Sequence, residues 1–233
     1  MEGPVKYQGK RVLVTGGSRG IGFEICKMFL EQGADVLAVS RNSSNLTTAR
    51  DLLPRLTIFT CDVSLSEDID HLVSFIRRCW NPVDILVNNA GIQLPTGPVL
   101  LQQDDAVFHE IMNVNVTGPY LITKRLLPYI LNGNEPRVIN IGSSMGLINA
   151  GIRGAYGVSK AALHALTLAM ANELMPQVAV NAICPGWVRT DMAPDGPGDP
   201  RTSAEHVLWL ANKPLDFTGH VIRERRSVLR VDR

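Results

Sequence analysis

Net charge of either sign is missing from this chain. Lys and Arg number 23 against 22 Asp and Glu, a formal charge of +1. No global field exists to hold a polyanion, so nucleic acid is not an expected partner. The local exception is Arg223, Arg225, Arg226, Arg230 and Arg233, interrupted by Glu224, Val228, Leu229 and Asp232; this stretch reads as a solvated or subunit-contacting tail rather than a phosphate-binding patch. Cysteine is scarce: Cys26, Cys61, Cys79 and Cys184 are the only four and lie far apart. That spacing excludes a disulfide framework or zinc finger and points to a reducing, cytoplasmic setting. The five histidines are scattered over unrelated segments, so no metal site is expected. No apolar run reaches membrane-spanning length, and the start Met1-Glu2-Gly3-Pro4-Val5-Lys6 carries no secretory core. Neither secretion nor a membrane partner is expected. Internal repeats are also lacking.

What is present is the composition of an ordinary folded protein, 45% hydrophobic and 19% charged over 233 residues, which predicts one domain spanning 1–233. Short apolar runs recur at Arg11–Thr15, Asp35–Ser40, Leu56–Thr60, Val83–Val87, Arg137–Ile141 and Val178–Ile183, with a further short strand near His220–Arg223. Between them lie segments of helical periodicity, such as Ile21, Ile25, Met28 and Phe29, which stop at Gly33. This alternation predicts an α/β fold, with a parallel sheet whose crossover helices cover both faces. Pro194–Pro200 reads as a loop above the sheet.

Thr15-Gly16-Gly17-Ser18-Arg19-Gly20-Ile21-Gly22 follows the first strand and opens a helix. There, backbone N–H groups and a helix N-terminus can face a pyrophosphate. Gly16 turns the chain, Gly20 admits the phosphate and Gly22 lets helix pack on strand. Dinucleotide folds that prefer NAD place a carboxylate about 20 residues further on; this chain has Ser40-Arg41 instead. Arg41, with Arg19 from the loop, offers planar donors to a 2′-phosphate, so NADP(H) is expected over NAD(H).

Tyr156 and Lys160 are four apart on a helix expected from Tyr156 to about Leu174, and so share a face. A free phenol has a pKa of about 10, and a neighbouring ammonium lowers it toward useful acid–base chemistry. Ser143 ends the fifth strand on the ligand-binding edge of such a sheet. His164, one turn beyond Lys160, reads as a packing or subunit-contact residue.

These motifs, together with Asp62-Val63, Asn88-Asn89-Ala90-Gly91, Asn115 within Asn113–Gly118, and Pro185-Gly186-Trp187-Val188-Arg189-Thr190, occur in the order found in short-chain dehydrogenases/reductases. The chain resembles the shorter, single-domain members over nearly its whole length, and their carbonyl-reductase-like branch in Ala204–Ala211 and Thr218–His220. The resemblance implies a Rossmann-like doubly wound parallel sheet of six to seven strands with helices on both faces. It implies a tetrad of Asn115, Ser143, Tyr156 and Lys160, with Asn115 distorting its helix to hold a water beside Lys160. The cofactor would be held by Gly16, Ser18, Arg19, Gly20, Ile21, Gly22, Ser40 and Arg41. Asp62 and Val63 would flank its adenine, Asn89, Ala90 and Gly91 its adenosine ribose side, and Val188 and Thr190 would hold the carboxamide, with Pro185, Gly186, Tyr156 and Lys160 touching the cofactor as well. The implied reaction is NADP(H)-dependent reduction of a ketone or aldehyde, or the reverse oxidation of an alcohol, with Tyr156 as general acid/base. Subunits would pair through helices at Val116–Leu131 and Tyr156–Leu174 into a homodimer or homotetramer.

The pattern is departed from after Met192, where only Ala193–Thr202 precedes a helix expected at Ser203–Ala211; a short, open pocket roof follows. Candidate walls are Gln93, Leu94, Met145, Leu147, Ile148, Trp187 and Met192, apolar enough for a hydrophobic carbonyl compound. Two other readings compete. Gly142-Ser143-Ser144-Met145-Gly146 fits a serine-hydrolase nucleophile elbow, with Asp191, Asp199, His206 and His220 downstream. That reading leaves Tyr156, Lys160 and the first glycine loop without a role. The other is an NADP(H)-binding sensor or scaffold without turnover.

Overall fold

The apolar runs are unbroken because the inner strands are covered on both sides, and their alternate residues sort between two cores. Val12 and Val14 of β1 (Arg11–Thr15), Val36 and Ala38 of β2 (Asp35–Ser40), and Ile85 and Val87 of β4 (Ile85–Asn88) face one core. Leu13, Leu37, Val39 and Leu86, from the intervening positions, face the other. The computed structural model describes residues 6–93, 100–147 and 154–230; Leu94, Ile148 and Arg233 lie outside them.

With β3 (Thr57–Thr60), β5 (Arg137–Ile141), β6 (Ala179–Cys184), β7 (His220–Arg223) and β8 (Arg226–Arg230), the sheet has the order β3-β2-β1-β4-β5-β6-β7-β8. Strands β1 to β7 pair in parallel, and β8 pairs antiparallel with β7. The first core is closed by α1 (Gly20–Glu31), α2 (Ser43–Leu52) and α7 (Pro200–Ala211). The second is closed by α3 (Ser66–Cys79), α5 (Gly118–Ile130) and α6 (Gly154–Leu174). A shorter helix, α4 (Asp105–Met112), leans on α6. This is the Rossmann-like doubly wound architecture. Strand order reverses between β1 and β4, so their following loops diverge and leave a crevice at the carboxyl edge.

Two differences from the sequence reading have local causes. The arginine-rich tail is not merely solvated, because Arg226–Arg230 forms the eighth strand of the sheet after a turn at Glu224 and Arg225. Both turn residues are left-handed, with φ of 50° and 61°, as a tight hairpin requires. All of β8 is exposed; with no face to bury, it carries no alternation for a period-based reading to find. The last long helix begins at Pro200 rather than Ser203, because the Asp199 carboxylate accepts from Arg201 N (2.9 Å) and Pro200 needs no N–H donor at the first turn.

Phe29 of α1 is wholly buried against the sheet and meets Tyr7 edge-on at 5.0 Å. Phe29→Ala should therefore lower the unfolding free energy by about 3–5 kcal/mol. Urea titration would show this as a lower midpoint at unchanged slope; a loss below about 1 kcal/mol would mean that this core repacks freely.

Candidate active site

The crevice is lined first by the glycine loop. Gly16 has φ +65°, and a Cβ on Gly22 would lie 2.2 Å from the Gly16 carbonyl oxygen, so only glycine lets α1 approach the turn this closely. The Asn89 amide clamps the turn from across the switch point, its Nδ2 donating to Thr15 O (2.9 Å) and Gly16 O (3.1 Å). Asn89 N and Ala90 N both donate to Thr15 Oγ1 at 3.0 Å. The Asn89 side chain thus holds the loop itself. Asn42, Asp104 and Asp199 cap their helices, whereas Arg19 at the head of α1 supplies no side-chain cap. Backbone donors at the start of α1 are left for a ligand, and this cradle fits a dinucleotide pyrophosphate.

Ser18 Oγ donates to Ser40 Oγ (3.2 Å), joining the loop to the end of β2 where Arg41 begins. The two arginines expected together each face a carboxylate. Arg41 lies 3.8 Å from Asp62, and Arg19 lies 2.6 Å from Asp191 across the crevice. Both are largely exposed, so these pairs are weakly held and exchangeable for a phosphate. Asp62 also accepts from Ser64 N (2.9 Å) and Ser64 Oγ (2.6 Å). Val63 is buried against α5, where a Cβ on Gly118 would come within 2.9 Å of its carbonyl oxygen.

Behind this loop α6 brings the chemistry to the end of β5. Lys160 is buried and its Nζ donates to Ile141 O (2.8 Å) while lying 5.8 Å from the Tyr156 ring centre. Burial pushes its pKa down to about 8, opposed by the partial negative character of the Cys184 thiol. Asn115 is wholly buried inside a π-helical turn, Asn113–Thr117, so the helix expected from Val116 to Leu131 becomes regular only at Gly118. The wider turn aims its amide at Ile92 and α6. Oδ1 accepts from Ile92 N (2.8 Å), while Nδ2 donates to Ile92 O (2.9 Å) and Ser159 Oγ (3.0 Å). Ser159 in turn donates to Tyr156 O at 2.7 Å, linking Asn115 to the tyrosine's own turn. A Cβ on Gly91 would sit 3.2 Å from Asn115 Oδ1 and 3.5 Å from Lys160 Nζ, so those two groups converge beside a residue that has none. Ser143 accepts from Met145 N through Oγ (3.2 Å), a bond that does not use its own hydrogen.

The loop after β6 returns over this edge. Thr190 Cγ2 would meet a Cβ on Gly20 at 3.2 Å, so it rests on the glycine loop, and Val188 is buried. Gly186 has φ +88°, and Pro185 O accepts from Ser203 Oγ at 3.5 Å. The roof is short but folded, with bridges between Val188 and Gly198 and between Thr190 and Ala193. Of the expected pocket walls, Trp187 (59%) and Met192 (44%) are well exposed. Gln93 and Met145 are half-buried, and Leu147 packs against Ala182, Cys184 and Val221.

Spacing did not reveal a buried polar ladder under the site. Asn88 Nδ2 donates to Asn140 Oδ1 (2.8 Å) and Thr123 Oγ1 (3.2 Å), Asn140 Nδ2 donates to Thr167 Oγ1 (2.9 Å), and Thr167 donates to Leu163 O (2.7 Å). It ties β4, β5 and α5 to α6. His164, read as a packing or subunit-contact residue, is buried, and its Nε2 accepts from Ser143 N. That contact is to the backbone amide, not the hydroxyl. His220 stacks on Phe217 and contacts Ser227, and a 3₁₀ turn (Ser144–Gly146), not an α-helix, follows Ser143, so the local geometry of a nucleophile elbow is not formed.

Residues 10–198 match the family short chain dehydrogenase. A 3-oxoacyl-[acyl-carrier-protein] reductase FabG from Vibrio cholerae is 32% identical over 94% of this chain and 96% of its own. An L-fucose dehydrogenase from Bos taurus is 36% identical over 80% of this chain and 69% of its own. A short chain dehydrogenase structure from Shigella flexneri, complexed with NADP, superposes with a TM-score of 0.88 at 26% identity, covering 94% of this chain and 98% of that one. The chain belongs to the short-chain dehydrogenase/reductase family of oxidoreductases.

The lowered Lys160 pKa has a consequence for stability. Between pH 8 and 10.5 the unfolded chain binds a proton that the folded chain has lost, so folding strengthens as pH rises through this window. Relative to Lys160→Met, the wild type should gain about 2–3 kcal/mol between pH 7 and pH 10. Urea unfolding of both proteins at the two pH values checks it, and parallel behaviour would contradict the burial of a charged amine.

Proposed function

We propose that the protein is an NADP(H)-dependent oxidoreductase that interconverts a small-molecule carbonyl compound and its alcohol. The convergence of Lys160, Asn115 and Tyr156 with Ser143 at one sheet edge carries this reading. The cofactor, when bound, supplies or accepts the hydride. Everything else falls to the chain. The uncapped α1 terminus and the Gly16–Gly22 turn hold the pyrophosphate, and Thr190 and Val188 flank the nicotinamide side. Ser143, its Oγ lone pair engaged by Met145 N, donates its hydrogen to the substrate oxygen, so negative charge developing there meets a donor already in place. Tyr156 delivers the proton to that oxygen. Lys160, a buried cation beside the ring, favours the phenolate left behind. Asn115 keeps the turn of α6 that carries Tyr156 in register through Ser159.

Preference for NADP(H) rests on Ser40-Arg41 at the end of β2, with no carboxylate at those two positions to repel a 2′-phosphate, and on Arg19 within the same crevice. The Shigella flexneri relative with NADP supports it. Half-exposed apolar side chains among the expected pocket walls, Trp187 and Met192, suit a hydrophobic ketone or aldehyde entering from solvent. The functional unit is a single domain acting as a homodimer or homotetramer in the cytoplasm.

Screening aldehydes, cyclic and aromatic ketones, quinones and 3-oxoacyl thioesters with NADPH and NADH should reveal turnover by loss of reduced-nicotinamide absorbance. Tyr156→Phe should lower kcat about 10²–10⁴-fold while NADPH still binds; equal turnover would remove Tyr156 from the chemistry, and NADPH binding with no turnover in either protein would leave only a cofactor-binding scaffold. Arg41→Asp should reverse the preference toward NADH, measured as the ratio of kcat/KM for the two cofactors, and an unchanged ratio would remove Arg41 from cofactor choice.

A further inference from the structure

Helix α6 holds the end of β5 at two points, one turn apart. Lys160 donates to the carbonyl of Ile141 (2.8 Å), and His164 Nε2 accepts from the amide of Ser143 (3.3 Å). Between them, Gly142 N donates to Ile183 O on β6 at 2.8 Å. The imidazole is 2% exposed and reaches the strand end only because residue 142 lacks a side chain; a Cβ there would lie 2.4 Å from Nε2. Its other polar neighbour at Nε2 is the Cys184 thiol at 3.7 Å. Since an amide can only donate, Nε2 is the unprotonated nitrogen and the ring is neutral, with its hydrogen on Nδ1. Burial and the nearby Lys160 charge hold it so, pushing its pKa down to about 4. Nδ1 has no hydrogen-bond partner of good geometry among the described residues, although the Gly146 carbonyl is close enough to favour the protonated ring. A buried imidazole with one ring nitrogen left unsatisfied is costly as mere filler. What it does make is a bond to the backbone of the residue that donates to substrate.

We propose that His164 is a positioning residue for Ser143: by accepting the Ser143 amide hydrogen, it fixes the backbone from which the serine hydroxyl is aimed at the substrate oxygen. The amide is thereby withheld from substrate, and the hydroxyl, which accepts from Met145 N and keeps its hydrogen, is the donor this residue offers. The inference rests on the oxidoreductase reading for its catalytic consequence but not for the bond itself.

Two measurements test it. Amide exchange followed by NMR on the ¹⁵N-labelled protein without cofactor should show Ser143 N–H protected in wild type and in His164→Gln, whose side-chain oxygen can take over as acceptor. The same amide should exchange rapidly in His164→Leu and Gly142→Ala. With NADPH and the best-reduced compound of the carbonyl screen, His164→Leu should lower kcat about 10- to 100-fold with KM for NADPH unchanged, and His164→Gln should recover most of it. In a Ser143→Ala background, His164→Leu should cost nothing further, because its effect passes through the missing hydroxyl. Equal losses in the Leu and Gln variants, an additive loss in the double variant, or undiminished Ser143 protection in His164→Leu would each overturn the proposal. If wild type turns over no carbonyl compound, the functional reading fails, while amide exchange still decides whether His164 holds Ser143.

Discussion

A full positive charge sits where water hardly reaches, and the rest of the site is arranged around that requirement. Lys160 could not remain an ammonium among apolar strands without an oxygen partner, and the Ile141 carbonyl at the end of β5 supplies one. That bond places the head of α6 against the carboxyl edge of the sheet, and Tyr156, one turn earlier, is carried to the same edge. Gly91 and the amide of Asn115 close around the amine from the β4 side. Losing the carbonyl contact would leave an unpaired buried charge, so the geometry is enforced more strictly than apolar packing alone could enforce it.

The scaffold beneath uses the same device with neutral groups. Apolar contacts between a long helix and a sheet tolerate small slides, whereas hydrogen bonds inside a core do not. Asn88 and Asn140 stand opposite each other on β4 and β5, and through Thr167 they pin α6 in one register. Asn115 and Ser159 add a second pin near the tyrosine. The proposed catalytic residues Asn115, Tyr156 and Lys160 are thus set by helical elements, while the loops 186–199 and 144–147 carry the apolar side chains of Trp187, Met192, Met145 and Leu147.

Much of this was legible in the sequence because its signals are local. The strands from β1 to β7 announced themselves as apolar runs separated by helical periods, the glycine loop as a cluster between strand and helix, and the Tyr156–Lys160 pair as residues one helical turn apart. Where reading failed, the determining contact was distant or the local signal absent. β8 has no buried face and therefore no pattern. The pairing of Arg19 with Asp191, 172 residues away in the chain, had no local signal. Nor did any local signal show that the Asn89 amide bonds to the backbone of the glycine loop.

By itself, the order of residues determined the sheet-and-helix alternation, the place of the glycine loop and the face shared by tyrosine and lysine, because each depends on spacings within a strand or a few helical turns. Only the folded chain decided which carbonyl receives the lysine, that residues 113–117 widen into a π-turn, and that a histidine lies under the serine it follows by 21 residues. Those are hydrogen bonds between elements, and their partners are chosen by the proximity that sheet order and helix packing create.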